Sequence, residues 1–192
     1  MSNRTLLLIA LLVIITTGLV LIALNSPYSP PVPPSTLTIA PKTSLPVEQT
    51  VLSFDEPFMA DGSGAQNPVY SLPLVIDTGK NAVTAVQVEL GFDPEVLVNV
   101  TVNPGSFFNN PIVLLNDVDK TTGKISYAIG ISPQDNGIRG GGVVATINFQ
   151  NRAASPEATS ITFLPKTLVT AEGVPQSVLK TTTPAQFIVG QQ

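Results

Sequence analysis

The side chains available for acid–base or nucleophilic chemistry are few. The chain has no histidine and no cysteine. That removes the commonest general base, the usual nitrogen ligand for a metal, any thiolate nucleophile and any disulfide. Carboxylates remain, chiefly Glu89, Asp93, Glu95, Asp117, Asp119 and Asp135. A glycosidase needs two acids facing each other about 5 to 9.5 Å apart, and nothing in this spacing brings a pair together. Serine and threonine have no imidazole to activate them. The residue inventory points to a protein that is not an enzyme and carries no cofactor and no metal.

Three short motifs imitate sites. Asp117-x-Asp119-x-x-x-Gly123 begins like a calcium loop, but Thr121, Thr122 and Ala128 stand where an EF-hand needs a ligand, a glycine and a glutamate. A polar hairpin loop ended by Gly123 accounts for it better. Gly140-Gly141-Gly142 lacks the strand-then-helix context of a phosphate cradle and reads as a flexible lead into a strand. Asn99-Val100-Thr101 fits the glycosylation sequon, a pattern short enough to arise by chance.

These residues must be positioned by three regions of different character. Leu6–Leu24 is nineteen residues without a charge; as a helix it extends roughly 28 Å, close to the hydrocarbon thickness of a bilayer. It predicts a transmembrane anchor over 1–25, with a cleaved signal sequence as the alternative. Arg4 precedes the run and no Lys or Arg follows until Lys42. The positive-inside rule therefore puts the N-terminus in the cytoplasm and the rest outside the cell. If the leader is cleaved, the rest is secreted. Residues 26–49 form a linker carrying Pro27, Pro30, Pro31, Pro33, Pro34, Pro41 and Pro46. Proline favours extended, polyproline II-like chain, enough to hold a domain up to roughly 70 Å from the membrane.

From 50 to 192 the pattern becomes short alternating runs broken by turn residues. In Ala82–Asp93, Val86, Val88, Leu90 and Phe92 alternate with Ala85, Gln87, Glu89 and Gly91. Lys124–Ile131 sets Ile125, Tyr127, Ile129 and Ile131 on one face, and Gly142–Gln150 does the same with Val143, Ala145, Ile147 and Phe149. This period of two predicts half-buried strands. Further candidates are Val51–Phe54, Val69–Asp77, Leu97–Val102, Pro111–Asn116, Ser160–Leu164, Ser177–Thr181 and Gln186–Val189. The expectation is all-β, two antiparallel sheets packed face to face. Phe92-Asp93-Pro94 should turn the chain at one corner, with Phe92 in the core.

Several motifs follow one another in an order that resembles the cohesin domain, the module that captures dockerins on cellulosome-type scaffolds. They are Leu74–Gly79 (LVIDTG), Gly91–Leu97 (GFDPEVL), Val102–Phe107 (VNPGSF), Asn116–Ile125 (NDVDKTTGKI), Gly141–Phe149 (GGVVATINF), and Ile161-Thr162-Phe163 with Glu172-Gly173 after it. The resemblance implies a nine-stranded jelly-roll sandwich. It also implies a dockerin-type protein partner, docked on a flat sheet face made from the strands at Ala82–Asp93, Pro111–Asn116, Lys124–Ile131 and Gly142–Gln150. By alternation the outward residues of that face are Gln87, Glu89, Ser126, Ala128, Val144, Thr146 and Asn148, mostly small and uncharged.

Two other readings accompany it. Related sandwich modules bind carbohydrate, but sugar platforms rely on aromatic faces, and this chain has no Trp and only Tyr28, Tyr70 and Tyr127 as tyrosines. A structural or adhesive envelope protein is the other. Nucleic acid is not expected as a partner: the net charge is −4 overall, more negative still without Arg4, and no basic cluster offers itself to phosphates.

Overall fold

The alternating runs become strands because each can bury one face while leaving the other in water. The computed structural model describes residues 12, 15–17, 21, 48–60, 67–153 and 156–190. The chain divides into two units, Met1–Lys42 and Thr43–Gln192. In the first, Leu12, Ile15, Thr16, Thr17 and Leu21 are helical, and the Thr16 hydroxyl donates to the Leu12 carbonyl at 3.0 Å. The rest of the expected span over Leu6–Leu24, and the proline-rich stretch through Val47, lie outside the described residues. Among the described residues no helix is long and apolar enough to cross a membrane.

Among its described residues the second unit holds twelve strands: β1 Thr50–Phe54, β2 Phe58–Met59, β3 Val69–Asp77, β4 Val83–Phe92, β5 Leu97–Pro104, β6 Ile112–Asp119, β7 Lys124–Gly130, β8 Gly141–Asn151, β9 Glu157–Phe163, β10 Leu168–Ala171, β11 Leu179–Thr182 and β12 Ala185–Val189. One sheet runs β11-β1-β3-β8-β5 with β2 beside β3. The other runs β12-β9-β4-β7-β6 with β10 beside β4. Twelve strands replace the nine expected. The two that no alternation announced are β2, only two residues long, and β10, which resumes pairing with β4 after β9 leaves it. The β1–β11 pairing is parallel, a departure from two purely antiparallel sheets.

The inward faces close on one core. Val86, Val88, Leu90 and Phe92 of β4, Ile125, Tyr127 and Ile129 of β7, and Ala145, Ile147 and Phe149 of β8 are all buried in it. Val144, expected outward, is a correction. It is 0% exposed, because the β3–β8 register shifts between Leu74 and Val75 and leaves Val144 as the extra residue of a bulge. A bulge changes the phase of alternation, and GVVA carries no sign of it.

Two of the recurring motifs have steric explanations. Gly105, within VNPGSF, donates its N–H to the Val144 carbonyl at 2.9 Å, and Phe107 donates to Val143 at 2.8 Å. A Cβ on Gly105 would stand 2.1 Å from the Val143 carbonyl oxygen, so only glycine permits this approach. Gly123 ends the β6–β7 hairpin at φ 68°, and a Cβ there would stand 2.0 Å from the Phe92 carbonyl oxygen. At the Phe92-Asp93-Pro94 corner, the Asp93 carboxylate accepts the Glu95 N–H at 2.9 Å and its carbonyl accepts the Leu97 N–H at 2.9 Å. The corner is architecture.

Gly123→Ala is therefore expected to cost clearly more than about 1 kcal/mol in urea unfolding. Gly173→Ala, at φ 71° with open space around it, isolates the backbone strain alone. Equal losses for the two would show that crowding against Phe92 is not felt.

Candidate docking face

The expected face does not assemble as one surface. Gln87 and Glu89 on β4 and Ser126 and Ala128 on β7 do share the outer side of the second sheet, with Gln87 opposite Ala128 and Glu89 opposite Ser126. Thr146 and Asn148 sit on β8, which belongs to the other sheet, and Val144 is in the core. Asn148 accepts the Ser71 hydroxyl at 2.6 Å on that far side. Strand order decides this, and alternation along single strands carries no information about it.

In place of β8, the second sheet brings β9 and β10 to the β4 edge and β6 to the β7 edge. Cross-strand register arranges the outer side chains in four rows: Thr170–Ala85–Gly130–Ile112, Leu168–Gln87–Ala128–Leu115, Glu89–Ser126–Asp117, and Thr162–Gly91–Lys124–Asp119. Small residues, Ala85, Gly130, Ala128, Ser126 and Gly91, occupy most of the middle positions, beside the longer Gln87 and Lys124. The β6 edge is high and apolar. Ile112 and Leu115 are 43% exposed, and Leu114, pushed out by a bulge between Val113 and Leu115, is 67% exposed. Sequence reasoning named the strand but not these residues. IVLL is uniformly apolar, and such a run reads as a buried strand unless its place at a sheet edge is known.

The other end of the face is charged. Glu89 is nearly covered, pairs with Lys124 and accepts the Ser126 hydroxyl at 3.1 Å. The hydrogen bond from Lys124 is the largest influence and holds the Glu89 carboxyl below its usual 4.5, outweighing the opposing effect of burial. The Leu164–Thr167 turn closes over it: the Glu89 carbonyl accepts the Leu164 N–H at 2.7 Å and the Thr167 hydroxyl at 3.1 Å. Beside it, an open trough of about 610 Å³ crosses Gly91 between Lys124, Thr162 and Leu164.

The calcium-like loop satisfies itself. Asp119 accepts the N–H groups of Thr121 and Thr122 at 2.9 and 3.1 Å and the Thr122 hydroxyl at 2.6 Å. The hydroxyl bond is the foremost cause of its lowered pKa. Among the described residues, no group of three or more acidic side chains gathers as a metal site. Among the described residues the tyrosines offer no sugar platform. Tyr70 and Tyr127 are buried, the latter with its hydroxyl pushed up to about 12 by burial, and Tyr28 lies outside the described residues.

The fold is a two-sheet sandwich with small residues near the centre of one outer face and exposed apolar residues along its β6 edge. The chain belongs to the cohesin domain family, whose model matches residues 61–189. Solved structures share the fold at low identity. The third cohesin of ScaC from Acetivibrio cellulolyticus, in complex with the ScaB dockerin, is 19% identical over 73% of this chain and 99% of its own, with a TM-score of 0.55. A type II cohesin–X-dockerin complex from the same organism is 12% identical over 75% and 100%, at 0.50. A non-cellulosomal cohesin from the hyperthermophilic archaeon Archaeoglobus fulgidus is 16% identical over 73% and 91%, at 0.52. Comparison with curated proteins finds no match.

A carboxylate whose folded pKa is lowered stabilises the fold above its unfolded pKa, and the contribution is lost as pH falls through the folded value. The wild-type advantage over Glu89→Gln should therefore be full above pH 4.5 and shrink progressively below it. Asp119 acts in the same direction in both proteins, so the difference between the two unfolding curves isolates Glu89. An unchanged difference down to strongly acid pH would exclude the pair as the cause.

Proposed function

We propose that this cohesin module is a non-catalytic receptor that captures a dockerin-type protein on the outer face of the β12-β9-β4-β7-β6 sheet. The observation that carries the reading is the exposed Ile112–Leu115 edge raised beside the low Ala128 and Gly130 floor. Binding energy concentrates where large apolar side chains enter a desolvated patch ringed by polar groups. The small central residues let a partner helix lie close to the sheet, and the edge leucines supply the anchors. Glu89, Lys124, Asp117 and Asp119 form the polar rim that sets its register. Two of the similar solved structures are cohesin–dockerin complexes, which supports the class of partner.

The second part of the proposal concerns display. The uncharged run Leu6–Leu24 anchors the chain in a membrane, and the proline-rich stretch holds the module outside the cell. There it serves a polysaccharide-degrading or cell-surface assembly.

The test is binding of the full-length chain to a panel of type I and type II dockerins. Leu115→Asp is expected to weaken capture by at least about tenfold, and Asn103→Arg, exposed on β5 of the opposite sheet, should leave it unchanged. The reverse result would assign docking to the other sheet. Protease treatment of intact cells should remove the sandwich; its survival would overturn the outward display.

A further inference from the structure

The β4–β5 corner borders a second cavity, of about 210 Å³. Its apolar wall is Phe92, Leu97 and Val100, all buried, with Pro94 at the side. Its polar rim is Lys120, Arg152 and Asn99. Four separate segments build it: the corner itself, the bulge in β5, the tip of the β6–β7 hairpin, and the end of β8.

The rim is preorganised. The Arg152 N–H donates to the Val96 carbonyl and its guanidinium to the Pro94 carbonyl, both at 2.8 Å. This fixes the head group at the corner and leaves further donors free to point elsewhere. Asn99 sits at φ 52°, the one left-handed non-glycine among the described residues. It lies where the β5–β8 register shifts between Val98 and Thr101, and its amide donates to Gln150 at 2.6 Å. Asparagine visits this conformation more readily than other side chains, and the bond to Gln150 holds its amide at the rim.

The charge is one-sided. No carboxylate lines the cavity, and neither Lys120 nor Arg152 forms an ion pair among the described residues. On an acidic protein this leaves two cations on the rim of one concave, partly apolar space, which favours an anion there. The volume equals about seven water molecules at bulk density. That is too small for a drug-sized ligand and larger than an aspartate or glutamate carboxyl needs. A six-membered ring bearing one carboxylate suits both the wall and the rim.

We propose that this cavity binds a hexuronate unit, its carboxylate on Lys120 and Arg152 and its ring against Pro94 and Phe92. The cavity shares Phe92 and Pro94 with the trough beside Lys124 but includes none of Leu115, Ala128 or Gly130, so dockerin capture in Leu115→Asp and uronate binding in Lys120→Gln are separate readouts.

The test is an NMR titration of the full-length chain in detergent with sodium glucuronate, trigalacturonate, glucose, N-acetylaspartate amide and inorganic phosphate. Glucuronate is expected to saturate with Kd of about 1 mM, the strength a ligand of this size commonly reaches. Val98, Asn99 and Arg152 amides should move. Tighter binding of trigalacturonate would identify a polymer end as the source, and equal binding the free sugar; either upholds the site. Lys120→Gln, a surface change, should weaken binding about tenfold, while Lys180→Gln leaves it unchanged. Saturation by neither uronate overturns the proposal. So does equal affinity for phosphate or N-acetylaspartate amide, which would mark a general anion or acidic-peptide contact, and so does an unaltered Kd in Lys120→Gln.

Discussion

The Phe92–Gly123 junction ties the structure together. Phe92 closes the core at the end of β4, and its N–H donates to the Gly123 carbonyl at 2.8 Å. Gly123, without a Cβ, lies against the Phe92 carbonyl. The hairpin that supplies Lys124 to the proposed docking face and Lys120 to the neighbouring cavity is thereby fixed to the strand that supplies Glu89. If that approach were opened by one methyl group, both surfaces would lose their alignment together. Close packing transmits the displacement, because a dense interior has little slack.

The strand β4 has a dual role for the same reason. Its inner side chains, Val86 to Phe92 in alternation, bury apolar surface at roughly 25 cal/mol per Å². Its outer side chains form the centre of the face. β9 and β10 pair with its two halves in turn, and the Leu164–Thr167 segment between them covers Glu89. A charged residue is thus held nearly out of water at the middle of an open sheet, stabilised by Lys124 and Ser126. Such a carboxylate is a fixed feature of the surface rather than a mobile one, which favours specificity over raw affinity.

The face itself illustrates a division of labour between small and large residues. Gly91, Ser126, Ala128 and Gly130 contribute no anchors; they lower the floor. Ile112, Leu114 and Leu115 contribute area, and they remain exposed because, among the described residues, β6 has no paired strand on its far side. Exposed apolar edge residues are a liability for aggregation. Their retention on a soluble-facing edge is consistent with an interface that is covered when occupied.

The resemblance of the chain's ordered motifs pointed to the cohesin family, while alternation and turn residues in the amino-acid sequence by themselves determined the two-layer sandwich, the inward set of β4 and β7 and the corner at Asp93-Pro94. These rest on local periods and on glycines whose neighbours leave no room for a side chain. Alternation did not determine which strands lie side by side. A strand reads the same whichever sheet it joins, so Thr146 and Asn148 were grouped with Gln87 and Glu89 although β8 lies in the opposite layer. Val144 was turned outward because a bulge adds one residue without altering composition. The exposure of Ile112 to Leu115 depends on their place at a sheet edge, and the cavity at Lys120 and Arg152 joins residues far apart in the chain. Tertiary structure decided these, because adjacency between sheets is a property of the folded whole and of no single segment.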